Sequence, residues 1–163
     1  MLTKFDSATL DELSAAADSL PRRRKNLNLH KQLDEPVQKL FNAMQADSYV
    51  RPHRHPELSK TELFMAVRGR FAIILFDDDG TITEYLEIKP QGTVFGAEIS
   101  PGTWHTVIAL EDQSVFFEVK QGPYTPLSDK DFANWAPEEN SAAVTAYMHW
   151  LQTAQKGDRS PAF

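Results

Sequence analysis

Two histidines separated by one residue, His53 and His55, sit in the stretch RPHRHPELSKTELF, and a carboxylate, Glu62, follows on an apolar run. A third histidine, His105, lies in SPGTWHTV, after the tight-turn pair Pro101–Gly102. On an extended strand alternate residues share a face, so Tyr49, Arg51, His53 and His55 are expected to point one way. Two imidazoles so spaced can both reach a metal lying over that face. A carboxylate from a neighbouring strand and an imidazole from another would complete a three-histidine, one-carboxylate set. Such a set leaves one or two positions open on a divalent first-row ion. The carboxylate has two candidates. Glu57 is nearer the pair but sits in a proline-containing turn, whereas Glu62 opens the strand leading to Gly69 and is preferred. Imidazole and carboxylate suit Fe, Mn, Ni, Co, Cu or Zn. The chain has no cysteine, so nitrogen and oxygen are its donors.

Other polar residues fall where a cavity would lie. The segment FFEVKQGPY sets Glu118 and Lys120 on one strand face, with Phe117 and Val119 on the other. Facing solvent, they are ordinary surface charges. Facing inward, Glu118 is a candidate general acid or base and Lys120 an anion binder. Arg51 and Tyr49 are candidate substrate contacts on the histidines' face. Arg51 can clamp a carboxylate or phosphate, or it can pair with Glu62 or an aspartate. Tyr124 is a candidate at the cavity rim. His30 shares a polar face with Asn26 and Asn28 on an arm that can cover the cavity mouth or meet a second subunit. Trp104 reads as core or pocket wall, and His149 as a surface or satisfied core histidine.

The elements that must hold these residues follow from periodicity. The first segment reads as a helix capped by Asp6 or Ser7, with Leu10, Leu13, Ala17 and Leu20 near one face and Pro21 ending it. NLNLH alternates as a short strand or extended arm. DEPVQKLFNAMQ reads as a second short helix, with Pro36 in its first turn and Val37, Leu40, Phe41 and Met44 as its stripe. From Tyr49 the period changes to two. Short strands alternate with the turn signals RGR, DDDG, KPQG, SPG and EDQ, and DDDG marks the clearest hairpin. Many short strands and no βαβ alternation predict a barrel or sandwich. APEENSAAVTAYMHWLQTAQKG reads as a closing helix from Pro137 towards Gly157. The expected division is a helical extension and arm over residues 1–46, a β-barrel over 47–127 and a helical segment and tail over 128–163, in one compact domain.

Composition sets the class. The chain has 163 residues, 41% hydrophobic and 25% charged, with a formal net charge of −6. That balance disfavours nucleic-acid binding, and the basic run PRRRK reads as a solvated link. No apolar run is long enough for a membrane span and the N-terminus lacks a signal-peptide pattern, so a cytoplasmic protein with no membrane partner is expected.

The ordered set His53, His55, Glu62, Gly69, then Gly96, Pro101–Gly102 and His105, resembles the two motifs of the cupin superfamily. The gap between His55 and Glu62 is longer than in the motif, the second motif's Pro and Gly are adjacent, and Ala109 replaces its trailing Asn. The resemblance implies a mainly β fold, the antiparallel double-stranded β-helix or jelly-roll barrel, with helices before and after it. It also implies one divalent transition metal on His53, His55, Glu62 and His105. RRRKNLNLH, SYVRPHRHP, KTELFMAVRGR, PGTWHT, FEVKQGPY and FANWAPEE together resemble the WbuC family of cupin-fold metalloproteins, some of which are encoded in O-antigen gene clusters. That resemblance implies a scaffold and a metal site but no substrate; the expected ligand is a small molecule, sugar-derived or nucleotide-sugar-like, in polysaccharide metabolism. The metal would be a Lewis acid for isomerisation or epimerisation. The alternatives are an iron-dependent oxygenase and a non-catalytic binding or regulatory module. A homodimer is expected by analogy with other cupins.

Overall fold

The computed structural model describes residues 2–55 and 60–162. Helix α1 spans Ser7–Asp18, and Asp6 caps it, its carboxylate accepting from the Thr9 N–H at 3.0 Å. Among the described residues eight strands follow: β1 (Arg24–Asn28), β2 (Val37–Met44), β3 (Glu62–Arg68), β4 (Phe71–Phe76), β5 (Ile82–Ile88), β6 (Gly96–Ile99), β7 (Trp104–Ala109) and β8 (Ser114–Gln121). They form two antiparallel sheets, one in the order β1-β2-β8-β3-β6 and one in the order β5-β4-β7. A helix α2 (Val144–Thr153) closes the chain. This is the antiparallel double-stranded β-helix expected from the motifs. Among the described residues no helix is long and apolar enough to cross a membrane.

The sheets face each other across Phe64, Phe71, Ile73, Ile88, Val107 and Phe116. Phe116 meets Phe64 at 5.3 Å and Phe71 at 5.2 Å between ring centroids, and burying such a ring contributes about 1.5–3 kcal/mol. The outer face of β4 packs Ala72, Ile74 and Phe76 against Tyr147, Met148 and Leu151. The outer face of the larger sheet packs Phe41, Ala43 and Val115 against Leu13 and Ala17 of α1.

The segment expected as a second helix is strand β2, paired to β1 on one side and β8 on the other. Phe41 and Ala43 face α1, while Asn42 and Met44 face the space between the sheets. From Leu40 to Met44 the strand is covered on both faces and loses its polar alternation, and with the exposed Val37 this run mimicked a helical stripe. The large sheet thus draws β1 and β2 from before residue 47. The closing helix also differs from expectation, starting at Val144. Asn140 has a left-handed φ of 68°, which no helix interior accepts, and Pro137–Glu139 are engaged elsewhere.

Candidate metal centre

The segment from Tyr49 to His55 is extended but pairs as a strand only at His53, which exchanges hydrogen bonds with His105 at 3.0 and 2.9 Å. Its other edge is held by residues 131–133: the Arg54 N–H donates to Asp131 O, and the Ala133 N–H to Pro52 O, both at 2.9 Å. Pro52 has no N–H to offer, so the ladder stops there. The result is a fixed, irregular strand end that presents His53 beside β7. Gly102, with φ +74°, makes the turn before β7, and its N–H donates to His55 O at 2.9 Å. Glu62, the first residue of β3, is opposite Lys120 on β8.

These elements bring His53, His55, Glu62 and His105 together, with one potential ligand atom from each lying within 4.8 Å of all the others. His55, Glu62 and His105 are buried, and His53 is half-buried. Glu57, the other carboxylate candidate, lies outside the described residues. Glu62 Oε1 is 3.1 Å from His55 Nε2, and Glu62 Oε2 is 2.9 Å from His105 Nε2. Neither approach has hydrogen-bond geometry, and His55 Nε2, His105 Nε2 and Glu62 Oε2 are buried without a hydrogen-bond partner among the described residues.

The tautomers explain why. His105 Nδ1 lies 2.9 Å from Thr103 O, and His53 Nδ1 lies 3.0 Å from Arg51 O. A carbonyl only accepts, so each Nδ1 carries the proton and, in the neutral ring, each Nε2 carries a lone pair. The lone pair of His105 Nε2 then faces a carboxylate oxygen across 2.9 Å. At that distance the two atoms need a cation between them, either a proton that makes the ring an imidazolium or a metal ion. Backbone bonds to the distal ring nitrogen are also the usual way metal-binding imidazoles are oriented. The donor set therefore fits a divalent transition metal.

Electrostatics favours the ligating protonation states. Burial and the adjacent His105 push His53 down to about 3, so it is neutral at neutral pH. Burial alone would raise Glu62, but in the metal-free site a proton shared with the His105 and His55 imidazoles, together with Lys120, outweighs it and holds the carboxyl well below its usual range. Burial likewise works against charge on Lys120, yet Glu118 and Glu62 more than offset it and raise its pKa.

The centre opens into a cavity of about 400 Å³ between the sheets, lined among others by Asn42, Met44, Arg51, Phe64, Glu118 and Lys120. Glu118 and Lys120 therefore face inward. Lys120 Nζ lies 2.6 Å from Glu118 Oε1 and 3.4 Å from Glu62 Oε1, and Asn42 Nδ2 donates to Glu118 Oε2 at 2.7 Å. Tyr124 lines this cavity and a smaller one, of about 140 Å³, that reaches His53 and His55 beside Lys60.

The other expected contacts lie differently. Arg51 lines the cavity, but Nε and Nη2 donate to Ala133 O at 3.2 and 2.8 Å, and its guanidinium lies 5.5 Å from the Phe132 ring centroid. It pairs with neither Glu62 nor an aspartate. Tyr49 turns into the core, its hydroxyl donating to Pro137 O at 2.8 Å and its ring packing on Tyr147. The expected common face with Arg51 fails because the segment is not a regular strand there, and Val50 lines the cavity instead. His30 bonds through Nδ1 to the backbone of Lys39 and is not among the residues lining the cavity. Trp104 stacks under Arg54 at 4.3 Å, and His149 is exposed.

Sequence reasoning missed Asn42, hidden in a segment read as helix, and Arg24 with Glu139, which also line the cavity and pair at 2.7 Å. The alternation of NLNLH ran back into the basic run and was the available signal for Arg24.

The fold is the cupin barrel, and it carries a potential three-histidine, one-carboxylate donor set. Similar solved structures include a cupin 2 domain-containing protein from Halorhodospira halophila, with TM-score 0.50 and 17% identity over 83% of this chain and 84% of that one. KdgF from Halomonas sp. matches with TM-score 0.50 and 18% identity over 66% of this chain and 86% of that one. A salicylate 1,2-dioxygenase variant from Pseudoaminobacter salicylatoxidans, in complex with gentisate, matches with TM-score 0.54 and 8% identity over 73% of this chain and 33% of that one. The chain belongs to the family described as a domain of unknown function, DUF6016, whose model matches residues 5–88. No curated protein matches it.

Proposed function

We propose that this chain is a metal-dependent cupin enzyme that isomerises or epimerises a small sugar or nucleotide-sugar-like substrate. His53, His55, Glu62 and His105 would hold one divalent transition metal. The observation that carries the reading is the buried, unpartnered set of Nε2 and Oε2 atoms converging beside an open cavity. When bound, such a metal supplies Lewis acidity towards a substrate carbonyl or hydroxyl.

The chain's own contribution is an acid/base group beside the centre. Glu118 is fixed by Lys120 on Oε1 and Asn42 on Oε2. It is suited to take a proton from a carbon next to a carbonyl and return it. Lys120, held charged by its two carboxylates, keeps Glu118 oriented and is not itself a base. This inward-facing acid/base group favours an enzyme over a binding module without turnover. The donor set alone suits iron equally, so oxygen-dependent oxidation is the second reading. The similarity of six sequence segments to the WbuC family supports a role in polysaccharide metabolism of the O-antigen type.

The test is elemental analysis of purified wild type, His53→Ala and Glu62→Ala, followed by solvent-deuterium incorporation into a panel of sugars. The expected result is about one metal per wild-type chain, loss from both variants, and exchange that Glu118→Gln removes. Absence of metal in wild type, or equal metal in all three proteins, would sink the assignment.

A further inference from the structure

The basic run PRRRK and the histidine-flanking Arg51 come together at the cavity, although they are distant in sequence. Arg22, Arg24 and Arg51 all line it, and Glu139 is the carboxylate that faces them. Arg22 binds Glu139 with Nε and Nη2, at 3.0 and 3.2 Å, and Arg24 Nη2 shares the same carboxylate at 2.7 Å. Arg24 also donates to Tyr49 O at 2.6 Å, so its role is largely structural. Arg51 meets no carboxylate among the described residues. Two of its nitrogens share the Ala133 carbonyl, and Nη1 has no hydrogen-bond partner among the described residues. Phe132 beneath it fixes the guanidinium plane.

Three guanidinium groups thus face one carboxylate, an excess of two positive charges at this end of the cavity. At the other end Lys120 faces Glu118 and Glu62, and a metal would reverse that local deficit. Arg22, Arg51 and Glu139 also line a second basin outside, together with Asp129 and Glu138, so the positive excess holds only on the side of the two arginines that faces the inner cavity. Low-dielectric walls strengthen such a field and draw in anions of matching charge.

We infer that the cavity takes a phosphomonoester, its dianion held by Arg51 and Arg22 while the rest of the molecule extends towards the candidate metal centre. A phosphomonoester carries a charge of about −1.5 to −2 at neutral pH, which matches the guanidinium excess, and a planar guanidinium fork suits its oxygens. This narrows the proposed sugar substrate to a phosphorylated one and rests on that reading of the cavity. Glu139 is then a competitor for Arg22 that the phosphate must displace or share.

The experiment is calorimetric titration of the metal-loaded protein with inorganic phosphate, glucose 6-phosphate, glucuronate and glucose, with metal content measured on the same samples. Both phosphates are expected to bind and glucose not. Glucose 6-phosphate should lose about tenfold or more in affinity in Arg51→Gln and gain in Glu139→Gln, which frees Arg22 without removing a cation. Glucose binding as tightly as its 6-phosphate, glucuronate binding in preference to both phosphates, or unchanged affinity in both variants would overturn the inference. Metal present with no phosphate binding overturns the phosphate site alone. Phosphate binding with no metal overturns the metal reading alone.

Discussion

Replacing Lys120 by Met keeps most of the side-chain stem but leaves two carboxylates facing each other without their shared cation. The Lys120 side chain is 19% exposed, and those of Glu118 and Glu62 are 7% and 4% exposed. At separations of 2.6 and 3.4 Å, each attraction is about 5–6 kcal/mol at an effective dielectric of about 20, before desolvation is subtracted. Removing one partner of a buried ion pair typically costs about 3–5 kcal/mol, because the remaining charge stays buried. For a chain of this size that corresponds to a Tm lower by about 6–20 °C. The assay is thermal unfolding followed by circular dichroism, with and without added metal. A metal on Glu62 compensates one of the two exposed charges, so metal should raise Tm more in Lys120→Met than in wild type. Adding Glu118→Gln to Lys120→Met removes the other charge and should recover part of the loss. A fall of less than about 3 °C, the behaviour of a surface pair, would refute the reasoning. So would a double variant no more stable than Lys120→Met alone.

Other outcomes follow from single contacts. Gly69→Ala adds a Cβ at a φ of +73° that collides with Ser114 Oγ, so urea unfolding should show a loss of about 2–4 kcal/mol. Asn42→Ala deprives Glu118 of a hydrogen bond; it should lower stability by about 1.5–3 kcal/mol and leave metal content unchanged. In the metal-free protein His53 takes up its proton only near pH 3, against 6.5 for the free side chain, so unfolding binds a proton between those values. The urea midpoint should therefore fall on acidification through that window, and His53→Phe should flatten the fall.

The site was legible because metal ligands are set by residue type and order. His53, His55, Glu62 and His105 could be read as one set from strand alternation plus the turn at Gly102 before β7. The hairpin at DDDG and the Asp6 cap were legible for the same reason: each is a local device carried by a few adjacent residues. Strand β2 was not, because a helix on one face and the cavity on the other bury both its sides and erase the period. Tyr49 was misdirected because the alternation rule assumes a regular strand, and Pro52 with the 131–133 segment makes this one irregular. The cavity's arginines depended on a tertiary meeting between residues 22–24, Arg51 and Glu139, for which no local pattern exists. The late start of α2 has a similar origin, since Glu139 serves the arginines and Tyr49 takes the Pro137 carbonyl before the helix begins.

X-ray absorption at the edge of the metal that copurifies with the protein tests the central claim most directly. The expected spectrum shows nitrogen and oxygen neighbours only, with the multiple-scattering pattern of three imidazoles, one of which disappears in His105→Ala. A shell of oxygen without imidazole scattering, or a spectrum unchanged by His105→Ala, would contradict it.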